Sequence, residues 1–245
     1  MTKKTRTILF IFCIFLFFLA APTIVLYSEG YRYDFEKNKV VQIGAFYFKV
    51  LPRSAEVYLN GNLKTTTSMF TGTVLIENLI PKTYQVEIRK QGYHTWSKTL
   101  EVREKQVTEA KNIILFSKEP IFTISAADSK TINSVVSDIE KSATSTDKNK
   151  VIEFNDYEIL ITYLKEKERV FLTRFSEKIS QVLWLTDYYL VFNVGNKIKI
   201  AEIDNRDKIN IINLKEFKNP EIFLDQNKLY VLSQGKLYLA QNLFP

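Results

Sequence analysis

Apolar and polar positions alternate along most of this chain with a period of two, and one long apolar block interrupts the pattern near the N-terminus. The block, Ile8 to Tyr27, reads ILFIFCIFLFFLAAPTIVLY: 20 residues without a charge. At 1.5 Å per residue, about 20 residues cross a hydrocarbon core of ~30 Å, so the block predicts a membrane-spanning helix over 8–27. Lys3, Lys4 and Arg6 precede it, and residues of mixed sign follow it. The positive-inside rule then places residues 1–7 in the cytoplasm and the bulk of the chain outside. A cleaved signal peptide is the rival reading. It needs small residues at both positions before the cut, but Leu19 stands two before Ala21, Pro22 would follow the cut, and the apolar run continues to Tyr27. An uncleaved anchor is the reading taken here.

After a juxtamembrane linker, 28–43, short alternating runs succeed one another. Phe46–Val50, Ala55–Leu59, Thr73–Ile76, Tyr84–Arg89, Thr99–Arg103 and Asn112–Phe116 each predict a strand, and Asn60-Gly61 suits the positive φ values of a type I′ hairpin turn. Six short strands without helical period predict a small antiparallel β-sandwich over 44–118. A polar linker, 119–150, follows. From Val151 onward strands return and repeat: VIEFNDYEILITYL, LVFNVGNKIKIAEI and LYVLSQGKLYLAQNL share one strand–turn–strand shape. Glu158, Lys197 and Lys236 lie 39 residues apart, and Trp184 aligns with Phe223 at the same spacing. That period approaches the ~40–45 residues of a propeller blade. The fold class is therefore mainly β: an N-terminal transmembrane helix, a small antiparallel sandwich, then partial β-propeller-like blades over 151–245. Fewer units fit than the ~4–8 blades of a closed propeller. A partial curved array is favoured over a ring completed by self-association through its edges, or an outer strand supplied by residues 128–140.

The sandwich segment carries a resemblance. Gly44, Pro52, Ala55, the hairpin Val57-Tyr58-Leu59-Asn60-Gly61, Pro81, Tyr84, Gly92, Tyr93 and Trp96 stand in the order and spacing of a PEGA domain. The match departs at Arg53-Ser54, where the naming motif has Glu-Gly, and at Lys82, where a glycine is expected. The repeats likewise resemble WD-repeat-like blades, without the Gly-His and Trp-Asp signatures. The resemblance implies a small extracytoplasmic β domain beside a membrane anchor, in surface-layer-like or envelope proteins, and brings no catalytic residues.

Composition narrows the chemistry. The chain of 245 residues has a formal charge of +7, but removing Lys3, Lys4 and Arg6 leaves 31 basic against 27 acidic residues outside, a charge of +4. Basic residues alternate with acidic ones, as in Lys165-Glu166-Lys167-Glu168-Arg169, so no basic stripe for nucleic acid exists. The single Cys, Cys13, lies in the predicted span, and the single His, His94, has no nucleophile at a recognisable spacing, which makes it a surface residue rather than a base. A Cys/His metal site and a His-based triad are excluded, no cofactor motif is present, and acidic pairs such as Asp204/Asp207 or Asp156/Glu158 read as solvated or turn-capping. The expected protein is not an enzyme. Tyr93 and Trp96 are the candidate ligand-binding residues, as an aromatic platform for a sugar ring, although packing across the sandwich end is the favoured role for both. The expected partners are the membrane and an envelope protein or cell-surface glycan. A membrane-tethered sensor is the alternative function, with a carbohydrate-active enzyme behind it.

Overall fold

A computed structural model describes residues 3–124, 143–225 and 228–243. Its first element, α1 (Lys3–Ser28), has no buried residue and a mean hydropathy of 2.9 over its most apolar window. An apolar helix with no buried residue is suited to a lipid environment. Pro22 sits inside it, and the Thr23 hydroxyl donates to the Leu19 carbonyl beside it, 3.0 Å away. At the helix end Gly30 takes φ +85°, and Arg32 lays its guanidinium 3.5 Å from the Tyr27 ring centre while donating to the Tyr27 carbonyl at 2.8 Å.

Residues 28–43 are more than a linker. They hold an antiparallel hairpin of β1 (Tyr31–Asp34) and β2 (Lys39–Gln42), whose turn is capped by the buried Asp34 accepting the backbone N–H groups of Glu36 and Lys37. The hairpin is tied to the domain beyond it. Lys82 makes a 2.8 Å ion pair with Glu36, and Arg32 donates to Asn78. Lys82, the departure from the expected glycine, thus fastens the hairpin to the sandwich.

The sandwich contains β3 (Gly44–Leu51), β4 (Glu56–Leu59), β5 (Asn62–Thr66), β6 (Thr73–Leu79), β7 (Thr83–Arg89), β8 (Trp96–Glu101) and β9 (Val107–Ile114). One sheet has the order β6-β3-β9 and the other β5-β4-β7-β8. The sandwich is antiparallel except for one pair: β3 and β9 run parallel. Phe46, Phe48, Val57, Leu59, Val86 and Ile88 fill the core between the sheets, with Phe46 and Phe48 stacked at 5.3 Å. Asn60 and Gly61 take φ of 50° and 77°, the two positive values the turn needs, and the Asn60 side chain also accepts the Gln85 N–H at 2.9 Å.

Further strands are β10 (Ile121–Ile124), β11 (Lys150–Phe154), β12 (Glu158–Tyr163), β13 (Glu168–Arg174), β14 (Ile179–Thr186), β15 (Tyr189–Val194), β16 (Lys197–Glu202), β17 (Ile211–Glu216), β18 (Glu221–Asp225), β19 (Lys228–Ser233) and β20 (Lys236–Gln241). Among the described residues they form three antiparallel sheets, β11-β12-β13, β14-β15-β16-β17 and β10-β20-β19-β18. Glu158, Lys197 and Lys236 each begin the equivalent strand: β12, β16 and β20. By the same period the first strand of the first sheet falls near residue 145, and there Thr144 makes an isolated antiparallel bridge to Val151. The outer position of the last sheet is filled from upstream by β10. The segment 128–140, the alternative considered for that position, lies outside the described residues. The sheets pack side by side through two cores, one between the first and second and one between the second and third. Strand β15 is buried along its whole length because both of its faces meet a neighbouring sheet. Among the described residues no closed propeller is formed.

Candidate functional site

The sandwich and the repeat array meet at a polar joint, and the joint begins with a strand paired on one side only. β8 is an edge strand of its sheet, so its outward backbone groups need partners. Side chains from the 202–210 turn of the second repeat sheet supply them. Asn210 accepts the Ser97 N–H and donates to the Ser97 carbonyl, both at 3.1 Å, and Asp207 accepts the Thr99 N–H at 2.6 Å. That bond is the main cause holding the Asp207 carboxyl below its ordinary range.

Beneath this edge lies a buried ion pair. Lys98 shares the inward parity of β8 with Trp96 and Leu100, and its side chain has no solvent exposure. Its ammonium stands 2.7 Å from Glu202 Oε1 and also donates to the carbonyls of Asp204 and Lys208. Glu202 occupies the same parity on β16 as Ile198 and Ile200. Its other oxygen accepts the Trp96 indole N–H at 2.7 Å, and Asn210 donates to Oε1 from both its backbone and its side chain. A buried pair persists only when its remaining donors and acceptors are met, as they are here. Farther along, the fully buried Tyr189 hydroxyl accepts the Ile114 N–H at 2.9 Å, and burial pushes its phenol pKa up, so it stays protonated.

Beside the joint opens a cleft of about 390 Å³, with the β9 segment Glu109–Ile113 on one side and Lys150, Tyr163, Tyr188 and Arg206 on the other. Its cations are matched. Arg206 clamps Asp204 through two nitrogens at 3.0 and 2.7 Å and donates to the Glu109 carbonyl at 2.8 Å. Burial works against the Asp204 carboxylate, but the hydrogen bonds and charge of Arg206 outweigh it and hold the carboxyl below its ordinary range. Lys111 pairs with Glu109 at 2.5 Å. Lys150 pairs with Asp147, the ammonium being the first cause of an Asp147 pKa of about 2, and sits 5.4 Å above the Tyr188 ring.

The residues singled out in the sequence take different places. Trp96 is 3% exposed and its indole N–H is committed to Glu202, while Tyr93 packs half-buried on the sandwich core; the two do not make an open sugar platform. His94 is not a free surface residue. It is half-buried at the joint, its Nε2 finds no hydrogen-bond partner among the described residues, and burial, with the charge of Lys118 added, pushes its pKa down. Asp204 caps its turn as expected, accepting the Arg206 N–H at 3.1 Å, and Asp207 in the same turn also serves the joint through Thr99, whereas Asp156 and Glu158 pair at the surface with Lys178 and Arg174. Among the described residues no cluster of three or more His, Cys, Asp or Glu side chains is placed to hold a metal. Lys98 and Glu202 each stand as a charge in the buried parity of an alternating strand, the one local signal that marks them in the sequence.

Comparison with known proteins agrees with the first module. No curated protein sequence matches the chain. Among solved structures, a Bacteroides fragilis protein of unknown function, described as membrane-associated, aligns over 81% of this chain and 94% of its own at 11% identity, with a TM-score of 0.24, too low to carry a shared fold. The PEGA domain model matches residues 50–114, the sandwich strands from the end of β3 to the end of β9, within a chain that also carries an N-terminal apolar helix.

Proposed function

We propose that this chain is a non-catalytic, membrane-anchored protein of the bacterial cell envelope. Helix α1 crosses the cytoplasmic membrane once with its N-terminus inside, and the β modules stand outside to meet a protein or glycan partner. The observation that carries this reading is the continuity of the anchor with the modules. An apolar helix with no buried residue ends in a hairpin, and that hairpin is pinned to the PEGA-like sandwich by Lys82–Glu36. The sandwich is in turn latched to the repeat array by Lys98–Glu202. The 39-residue unit and the upstream strand β10 on the last sheet support propeller-like repeats that protect their edges. The joint's charged groups are paired with one another, an arrangement that favours presentation over chemistry.

Alkaline carbonate extraction tests the anchor. The full chain should stay in the membrane pellet, and a chain lacking residues 1–28 should appear in the supernatant. Release of the full chain by carbonate would overturn the anchor.

A further inference from the structure

We propose that the cleft beside the joint is a binding site for a neutral glycan, with Tyr163 and Tyr188 as its stacking faces. This deepens the reading above, because glycans are met on the outer side of a membrane. The cleft exists only because the two modules are docked: β9 belongs to the sandwich, and Tyr163, Tyr188 and Arg206 belong to the repeat sheets. Its volume of about 390 Å³ lies within the ~300–1,000 Å³ usual for small-ligand sites.

Charge selects the ligand class. Lys111, Lys150 and Arg206 each already hold a carboxylate, those of Glu109, Asp147 and Asp204. A polyanion would have to displace these partners, and a cation would find no free carboxylate among them. What the cleft leaves unsatisfied is neutral. The hydroxyls of Tyr163 and Tyr188 and the side-chain amides of Asn112 and Asn205 make no hydrogen bond among the described residues. Tyr188 is 44% exposed even with the Lys150 ammonium 5.4 Å over one face of its ring, which leaves the other face for stacking. Aromatic faces flanked by free hydroxyl and amide groups match a pyranose ring, which offers an apolar C–H face and a rim of hydroxyls.

The test uses the full chain in lipid nanodiscs, which avoids sugar-based detergents. Calorimetric titration with maltotriose, cellotriose and triacetylchitotriose is compared with a hyaluronan oligosaccharide as the anionic probe. At least one neutral trisaccharide should bind, and Tyr163→Ala and Tyr188→Ala should each weaken it at least tenfold. Lys64→Ala, on the distant strand β5, should leave it unchanged. Should Tyr163→Ala fail to fold, Tyr188→Ala and Asn205→Ala, both at exposed positions, decide the matter. Binding by none of the neutral probes, binding of the anionic probe alone, or neutral binding that survives these variants would overturn the site. Failure here leaves membrane anchoring intact, since carbonate extraction reads the helix and not the cleft.

Discussion

Replacing Lys98 with methionine is expected to destabilise the folded chain by about 3–5 kcal/mol, the cost of leaving a buried charge without its partner. The Lys98 side chain is fully buried and that of Glu202 is 5% exposed. Without the ammonium, the Glu202 carboxylate keeps only the Trp96 and Asn210 bonds, and the carbonyls of Asp204 and Lys208 lose their shared donor. Changing both partners to apolar residues, Lys98→Met with Glu202→Leu, should restore part of the loss, because the desolvation of both charges disappears together. Urea unfolding followed by fluorescence is the direct assay. The chain has two tryptophans, Trp96 in the joint and Trp184 in the repeat array, so single-tryptophan variants report each side separately. A loss below ~1 kcal/mol, the range of exposed ion pairs, would mean that the joint is open in solution.

The second large effect is expected at Phe192. Its ring is fully buried in the core between the first and second repeat sheets, 5.4 Å from that of Phe175. Truncating such a phenylalanine removes apolar burial and leaves a cavity that closes only partly, so Phe192→Ala should cost about 3–5 kcal/mol. Phe171, on the outer face of the first sheet, is 53% exposed, and Phe171→Ala should stay within about 0.5 kcal/mol of the parent. Thermal or urea unfolding separates the two. Equal, small effects at both positions would show that the first sheet is not docked on the second.

These two sites also show what was legible in the chain and what was not. Strands whose faces differ, such as β7 with Tyr84, Val86 and Ile88 inward, announce themselves by alternation. β5, Asn62–Thr66, is missed because an edge strand with almost every side chain exposed has no apolar face to alternate. The β1–β2 hairpin is missed for a related reason: four-residue strands beside a long apolar block bury too little to set a period. The 39-residue repeat places each aligned position on the equivalent strand because it counts whole supersecondary units, which survive changes of individual residues. The parallel β3–β9 pair is invisible locally, since it depends on how the chain crosses between two sheets.

The site follows the same logic. Trp96 drew attention for its aromatic ring, but its role is set by Glu202, a partner 106 residues away that no local pattern connects to it. Lys98 and Glu202 were within reach of one rule. A charge in the buried parity of an apolar strand is costly unless paired, so two such charges in one chain point to each other. The cleft was out of reach, because its walls come from separate modules.

Membrane sidedness underlies the whole account, and cysteine labelling tests it most directly. Cys13, in α1, is the only cysteine, so Cys13→Ser gives a clean background. Into it go Lys64→Cys, on the exposed strand β5, or Thr5→Cys, before the apolar block. Spheroplasts are treated with a membrane-impermeant maleimide before and after lysis. The predicted result is labelling at position 64 in intact spheroplasts and at position 5 only after lysis; the reverse pattern, or labelling at position 64 only after lysis, would contradict an anchored protein whose β modules stand outside the membrane.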